Sequence, residues 1–134
     1  MGKGDAQERE LVSVHQDDDW FSRRATSSGG GMKQASYDVI AAKDGRVFVY
    51  ELKYRASGEY IYIGEDEVVD LKWVADKFGG VAVLVGRWKQ DTNLYCFLPQ
   101  QVPRTGSGSY RLSPDMKEDA AFIAPPDLPN GSIK

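Results

Sequence analysis

The chain has one cysteine, one histidine, no long apolar run and no excess of positive charge. Each scarcity excludes something. A lone Cys96 rules out a disulfide framework and any zinc site built on two or more cysteines, and a lone His15 removes most of the remaining zinc geometries. The longest apolar runs, residues 81–85 and 120–124, are far too short to span a bilayer, and residues 1–10 have no apolar stretch of the kind a secretory leader carries. Seventeen Lys and Arg against twenty Asp and Glu leave a net charge of −3 and a pI near 5.2. That balance speaks against a histone-like binder, whose affinity comes from a broadly cationic surface. What is present is ordinary: 134 residues, 41% hydrophobic and 28% charged, describe one soluble domain whose core folds without a disulfide or a structural metal. The cysteine usage suits a reduced compartment, so a cytoplasmic location is expected.

Hydrophobic spacing predicts a helix over residues 5–18, with Asp5 as N-cap, Glu8 completing a capping box, and Leu11, Val14 and His15 on one stripe. Strands are predicted over 20–25, 37–42, 47–54, 60–63, 81–88, 94–98 and 109–112. A second amphipathic helix is predicted over 65–78, with Val68, Leu71, Val74, Ala75 and Phe78 sharing a face. Glu65, Asp66 and Glu67 suit its positive end, and Gly79 and Gly80 suit its C-cap. Residues 26–36 read as a small, polar, mobile loop around Gly29, Gly30 and Gly31. Four of the six prolines fall after Ser113, where periodicity fades. The domain is therefore expected to close at residue 112, with 113–134 a loosely packed or disordered tail. The element order indicates α/β or α+β with one mixed sheet.

The strongest local signal is Asp44-Gly45 between two strand-like runs, a type I′ hairpin turn. It sets a register in which Ile40 faces Val49 and Asp38 faces Glu51. Two carboxylates opposite one another on an antiparallel pair stand about 4.5–5.5 Å apart at Cβ. Like charges that close are destabilising unless a cation sits between them. Lys53 emerges on the same face as Glu51, one strand repeat on. Hard oxygen ligands on adjacent strands are what Mg²⁺ takes, with water and substrate phosphate filling the other positions. By spacing alone, an exposed cross-strand cluster in which Lys53 merely pairs Glu51 accounts for the pattern as well. Glu8 and Arg9 likewise read equally as ordinary helix residues.

Tyr37-Asp38 followed by Glu51-Leu52-Lys53 resembles the PD-(D/E)xK nuclease core, with Tyr37 where proline often stands. Gln7 to Val12 on the first helix, Arg24 to Gly29, Asp38 to Ala41, Tyr60 to Gly64 and Lys77 to Gly80 are, in this order and spacing, similar to the archaeal Holliday-junction resolvase family. The resemblance spans about residues 4–112. It implies an α/β fold with a restriction-endonuclease-like core, a central mixed β-sheet flanked by helices. It implies a metal site of Glu8, Asp38 and Glu51, with the Leu52 carbonyl as a further ligand and Mg²⁺ as cofactor, Mn²⁺ substituting. Lys53 would position or activate the attacking water as a charged ammonium. Arg9 and Arg24 would hold the scissile phosphate region and Ser28 would contact the backbone near the cut. Arg23, Lys33 and Arg55 would complete the DNA contacts.

The function so implied is an endodeoxyribonuclease that resolves four-way junctions by paired nicks, leaving 5′-phosphate and 3′-hydroxyl ends. The substrate's near two-fold symmetry makes a homodimer the economical assembly. Two alternatives remain at this level: another PD-(D/E)xK nuclease cutting linear, flapped or mismatched DNA, and a non-catalytic DNA-binding module on the same fold. The loop after Gly29 is poor in basic residues, and His15 stands where an aliphatic would suit the helix face. His15 is expected to be a half-buried packing residue, and Trp73, Phe78 and Trp88 to pack in the core or at a subunit interface.

Overall fold

A computed structural model describes residues 4–25 and 35–128. Helix α1 (Gly4–Gln16) leads into β1 (Phe21–Arg24), the hairpin of β2 (Val39–Lys43) and β3 (Arg46–Arg55), and β4 (Ile61–Ile63). Helix α2 (Glu65–Phe78), β5 (Val81–Trp88), β6 (Tyr95–Phe97), β7 (Tyr110–Leu112) and β8 (Phe122–Ile123) follow, with short 3₁₀ turns at Pro99–Gln101 and Pro114–Asp119. Among the described residues, β1-β2-β3-β5-β6-β8 form one mixed sheet, and β4 with β7 forms a small ribbon. β3 and β5 run parallel and the other neighbours antiparallel. No described helix is long and apolar enough to cross a membrane.

The hairpin register follows the turn chemistry. Asp44 and Gly45 both have positive φ (53° and 78°), as a type I′ turn requires, and the ladder runs from Lys43↔Arg46 to Val39↔Tyr50. β3 then lies between β2 and β5 and is covered on both faces. Phe48, Tyr50 and Leu52 pack with Leu11 of α1, Trp20, Val83 and Val85. Val49 packs on the other side with Ile40, Leu84 and the α2 residues Val68, Leu71 and Val74. Each fully buried side chain of this kind contributes roughly 1.5–3 kcal/mol relative to exposure.

The parallel pairing of β3 with β5 depends on how α2 ends. Gly79 adopts the left-handed conformation (φ 66°), its N–H bonding the Asp76 carbonyl, and the Gly80 N–H bonds that of Ala75. A side chain at Gly80 would place its Cβ 2.5 Å from the Val47 carbonyl oxygen, so only glycine lets β5 start this close to β3.

Several sequence expectations need correction. The first helix stops at Gln16, not 18, because Asp19 turns left-handed (φ 69°) and the Asp18 and Trp20 N–H groups bond back to the His15 carbonyl. Asp5 lies inside that helix rather than capping it, and both Asp5 and Glu8 bind Arg24. Phe78 leaves the apolar stripe and is 54% exposed, since α2 ends there and the chain turns toward β5. His15 is fully buried rather than half-buried. Up to residue 128 the expected loose tail is packed instead. β8 pairs with β6, Phe122 meets Phe48 edge-on at 5.7 Å, and Lys117 bonds Asp91 at 2.6 Å. A two-residue strand is too short to show periodicity, which is why the sequence pattern misses it.

Candidate active site

The β2–β3 ladder stops one residue short of Asp38, and the site is built at that stop. The Asp38 N–H donates to the Tyr50 carbonyl at 2.9 Å, and the Ala25 N–H donates to the Asp38 carbonyl at 2.9 Å. The side chain takes over where the backbone pairing ends: the Leu52 N–H donates to Asp38 Oδ2 at 2.7 Å. Asp38 is therefore not a simple cross-strand partner of Glu51. Its carboxylate is instead aimed along β3 by a backbone donor, a geometry that strand register alone does not reveal.

Glu51, 6% exposed, and Lys53 follow on β3, and with Asp38 they line one open cavity of about 390 Å³. Glu8 of α1 and Glu67 of α2 border the same cavity, as do Leu52 and Arg55. Glu67 escaped sequence reasoning, where it is one of three acids at a helix start. Its only signal is Gly64 three residues earlier, whose N–H donates to Glu67 Oε1 at 2.9 Å.

Charges here are crowded and unevenly compensated. Burial, then the Asp38 and Glu67 charges, push Glu51 well above the ordinary carboxyl range, with Lys53 opposing. Burial likewise raises Asp38, Glu8 adds to it, and the Leu52 N–H and Lys53 work against it. For Lys53, burial favours the neutral amine, but the Glu67 hydrogen bond and the charges of Glu67, Glu51 and Asp38 outweigh it and raise its pKa. Lys53 is an ammonium, donating to Glu67 Oε2 at 2.8 Å and standing 3.8 Å from Glu51. For Glu67, burial is offset by the Lys53 and Gly64 donors, so its pKa falls.

The arginines divide into two groups. Arg24 donates from Nε to Glu8 at 3.1 Å and from an Nη to Asp5 at 2.8 Å, which ties a residue expected at phosphate to an acid of the cavity. Arg9, Arg23 and Arg24 also line a neighbouring cavity of about 300 Å³ between α1 and β1. Arg55 reaches the rim of the carboxylate cavity. Ser28, Lys33 and the Gly29–Gly31 run lie outside the described residues. Among the described residues, no three Asp, Glu, His or Cys side chains already converge as a cation cage. The donor chemistry nonetheless fits a hard divalent cation, which needs only one or two carboxylates with water and substrate oxygens.

A mixed sheet with an acid beside the end of one hairpin strand and Glu-x-Lys on the next has the architecture of the restriction-endonuclease-like nucleases. Within that class the chain belongs to the archaeal Holliday junction resolvase family, whose model, described as "Archaeal holliday junction resolvase (hjc)", matches residues 1–123. It is 35% identical over 108 residues to the crossover junction endodeoxyribonuclease Hjc of Sulfolobus acidocaldarius, covering 81% of this chain and 74% of that protein. The protein of the same name from Sulfurisphaera tokodaii is 33% identical over 78 residues, 58% of this chain and 54% of that one. The fold is similar to the 1.6 Å structure of Archaeoglobus fulgidus Hjc, described as a Holliday junction resolvase from an archaeal hyperthermophile. The TM-score is 0.73, at 19% identity, covering 84% of this chain and 90% of that one. At that identity the likeness is one of fold.

Proposed function

We propose that this protein is a Mg²⁺-dependent endonuclease that resolves four-way DNA junctions by paired, symmetric nicks, acting as a homodimer. The observation that carries the reading is the meeting of Asp38, Glu51 and Lys53 in one open cavity beside Glu8. Asp38, Glu51 and Glu8, with the Leu52 carbonyl, would hold the cation. When bound, Mg²⁺ would lower the pKa of an attacking water and neutralise charge on a phosphoryl oxygen. The Lys53 ammonium orients the nucleophile and faces the charge that develops on the phosphoryl group. Its permanent charge, maintained by three neighbouring acids, makes it an electrostatic partner rather than a proton acceptor. Arg9, Arg23 and Arg24 engage the phosphate backbone from the α1–β1 side and Arg55 from the rim, with Ser28 and Lys33 as further contacts. Backbone contacts of this sort read shape and charge rather than base sequence. A homodimer supplies two such sites to a substrate of near two-fold symmetry, and the exposed Val69, Trp73 and Phe78 of α2 offer it apolar surface to bury.

The test is a gel assay with equal amounts of a four-way junction and a linear duplex in Mg²⁺, with Asp38→Ala as control. Preferential paired nicking of the junction, lost in Asp38→Ala while junction binding persists, is the expected result. Equal cutting of both DNAs favours a general nuclease of the same class. Binding with no cutting by the unmodified chain favours the non-catalytic module.

A further inference from the structure

We infer that Glu67 is a positioning residue that acts through Lys53, an inference that rests on the junction-nuclease reading above. Glu67 stands in the first turn of α2 and folds back over its own helix start, where its carboxylate meets the Gly64 N–H, the Lys53 ammonium and the Glu51 carboxyl. Oε1 accepts from the Gly64 N–H at 2.9 Å, and Oε2 accepts from Lys53 Nζ at 2.8 Å. Capping of α2 accounts for the first contact. It does not call for the second oxygen to reach a lysine on β3.

The second contact decides where the lysine sits. Lys53 leaves β3 on the same face as Glu51, two residues away, and its flexible stem can lay the ammonium directly on that carboxylate. It does not do so: Nζ is 3.8 Å from Glu51 Oε2, beyond hydrogen-bond range, and 2.8 Å from Glu67. Glu67 supplies the better acceptor because its carboxylate is already fixed by the helix backbone, so pairing with it orders only one flexible side chain. Glu51 is thereby kept clear of the ammonium and meets the Glu67 carboxylate instead. The Lys53 ammonium, in turn, is held from α2 over the open cavity. Glu67 is thus the strut that separates the lysine from the acid in Glu51-Leu52-Lys53, although it lies outside that motif.

The experiment uses the full chain, single-turnover nicking of a four-way junction with protein in excess, and a Mg²⁺ titration. Junction binding is measured separately with Ca²⁺ in place of Mg²⁺. Glu67→Ala is expected to slow nicking about a hundredfold and Glu67→Gln, which keeps one acceptor, about tenfold. Both should raise the Mg²⁺ concentration needed for half-maximal rate and leave the junction Kd within about twofold of the unmodified chain. On a Lys53→Ala background, adding Glu67→Ala should change the rate by less than about twofold, because nothing remains to be positioned.

Unmodified rates in both Glu67 variants overturn the inference, as does a Glu67→Ala effect that is equally large with and without Lys53. A rate loss that disappears once temperature is lowered to where each variant is fully folded also overturns it, leaving Glu67 a helix cap. Should Glu67→Ala not fold, Glu67→Gln alone and on the Lys53→Ala background reads the same coupling. If the unmodified chain does not prefer junctions, or Lys53→Ala nicks normally, the nuclease reading falls first and takes this inference with it.

Discussion

Tyr50 and Glu51 are neighbours on β3 that face opposite sides of the sheet, and the two sides treat buried polar groups in opposite ways. On the α1 side His15 is fully buried, with Nδ1 2.7 Å from the Leu11 carbonyl and Nε2 2.8 Å from the Tyr50 hydroxyl. A carbonyl can only accept, so Nδ1 carries the proton and Nε2 accepts from Tyr50. The Trp20 and Tyr50 rings meet the imidazole edge-on at 5.1 Å, and burial holds its pKa below the ordinary 6.5. Each polar atom of that pair has its partner, and nothing is left over for chemistry. On the α2 side Glu51 is almost as deeply buried, yet its neighbours Asp38 and Glu67 are acids and Lys53 is the countercharge. One face of β3 is a satisfied structural network, and the other stores like-charge repulsion beside an open cavity. Function is expected where such local rules are broken.

The contrast is broken most directly at Glu51. Glu51→Gln is expected to reduce junction nicking by on the order of a thousandfold, since a charged oxygen of the proposed metal site is lost. The same change should raise the unfolding free energy by about 1 kcal/mol, because an unfavourable buried acid is removed. Urea unfolding beside the nicking assay reads both. A stability loss in this variant would mean that the site is not frustrated.

Tyr50→Phe tests the other face. It leaves His15 Nε2 buried with no donor, at a cost of about 1–3 kcal/mol, and should leave the nicking rate unchanged well below the melting temperature. A large catalytic effect with little loss of stability would place His15 and Tyr50 in the chemistry.

The smallest effect is in the pH profile of stability, where the two faces slope in opposite directions. In the unfolded chain His15 takes its proton near 6.5 and in the folded chain only at lower pH, so its stabilising contribution is full above 6.5 and declines as pH falls below it. Asp38 and Glu51 keep their protons to higher pH in the folded chain than their ordinary 3.8 and 4.5, so their contribution is full below that range and declines as pH rises. Denaturation midpoints in the absence of divalent cation should therefore fall on both flanks. Glu51→Gln should flatten the alkaline flank alone, and a variant that keeps both slopes would show that Glu51 does not generate one of them.

Much of this was legible from residues. The Asp44-Gly45 turn determines the hairpin register, because only one strand pairing is compatible with a two-residue type I′ loop. Glu65–Phe78 and Val81–Trp88 are found with the bounds their periodicity predicts, since each has a run long enough to average over local exceptions and a glycine pair marking the junction. The acid-acid-lysine pattern of Asp38, Glu51 and Lys53 was visible through the same register. Less visible were β8 and the true position of Phe78, where strand and helix ends are too short for any period to register.

Linear order thus determined most of the elements, the turn, the family and the nearness of Asp38 to Glu51 and Lys53 at one end of the hairpin, because these depend on local backbone preference and on alternation along a strand. Tertiary structure alone decided which groups face each other across elements: Arg24 on Asp5 and Glu8, Tyr50 on His15, Glu67 on Lys53, and the Asp38 carboxylate on the Leu52 N–H. Those contacts depend on how α1 and α2 are seated against the sheet. A side chain's partner there is set by distance in space, for which spacing along the chain carries no rule.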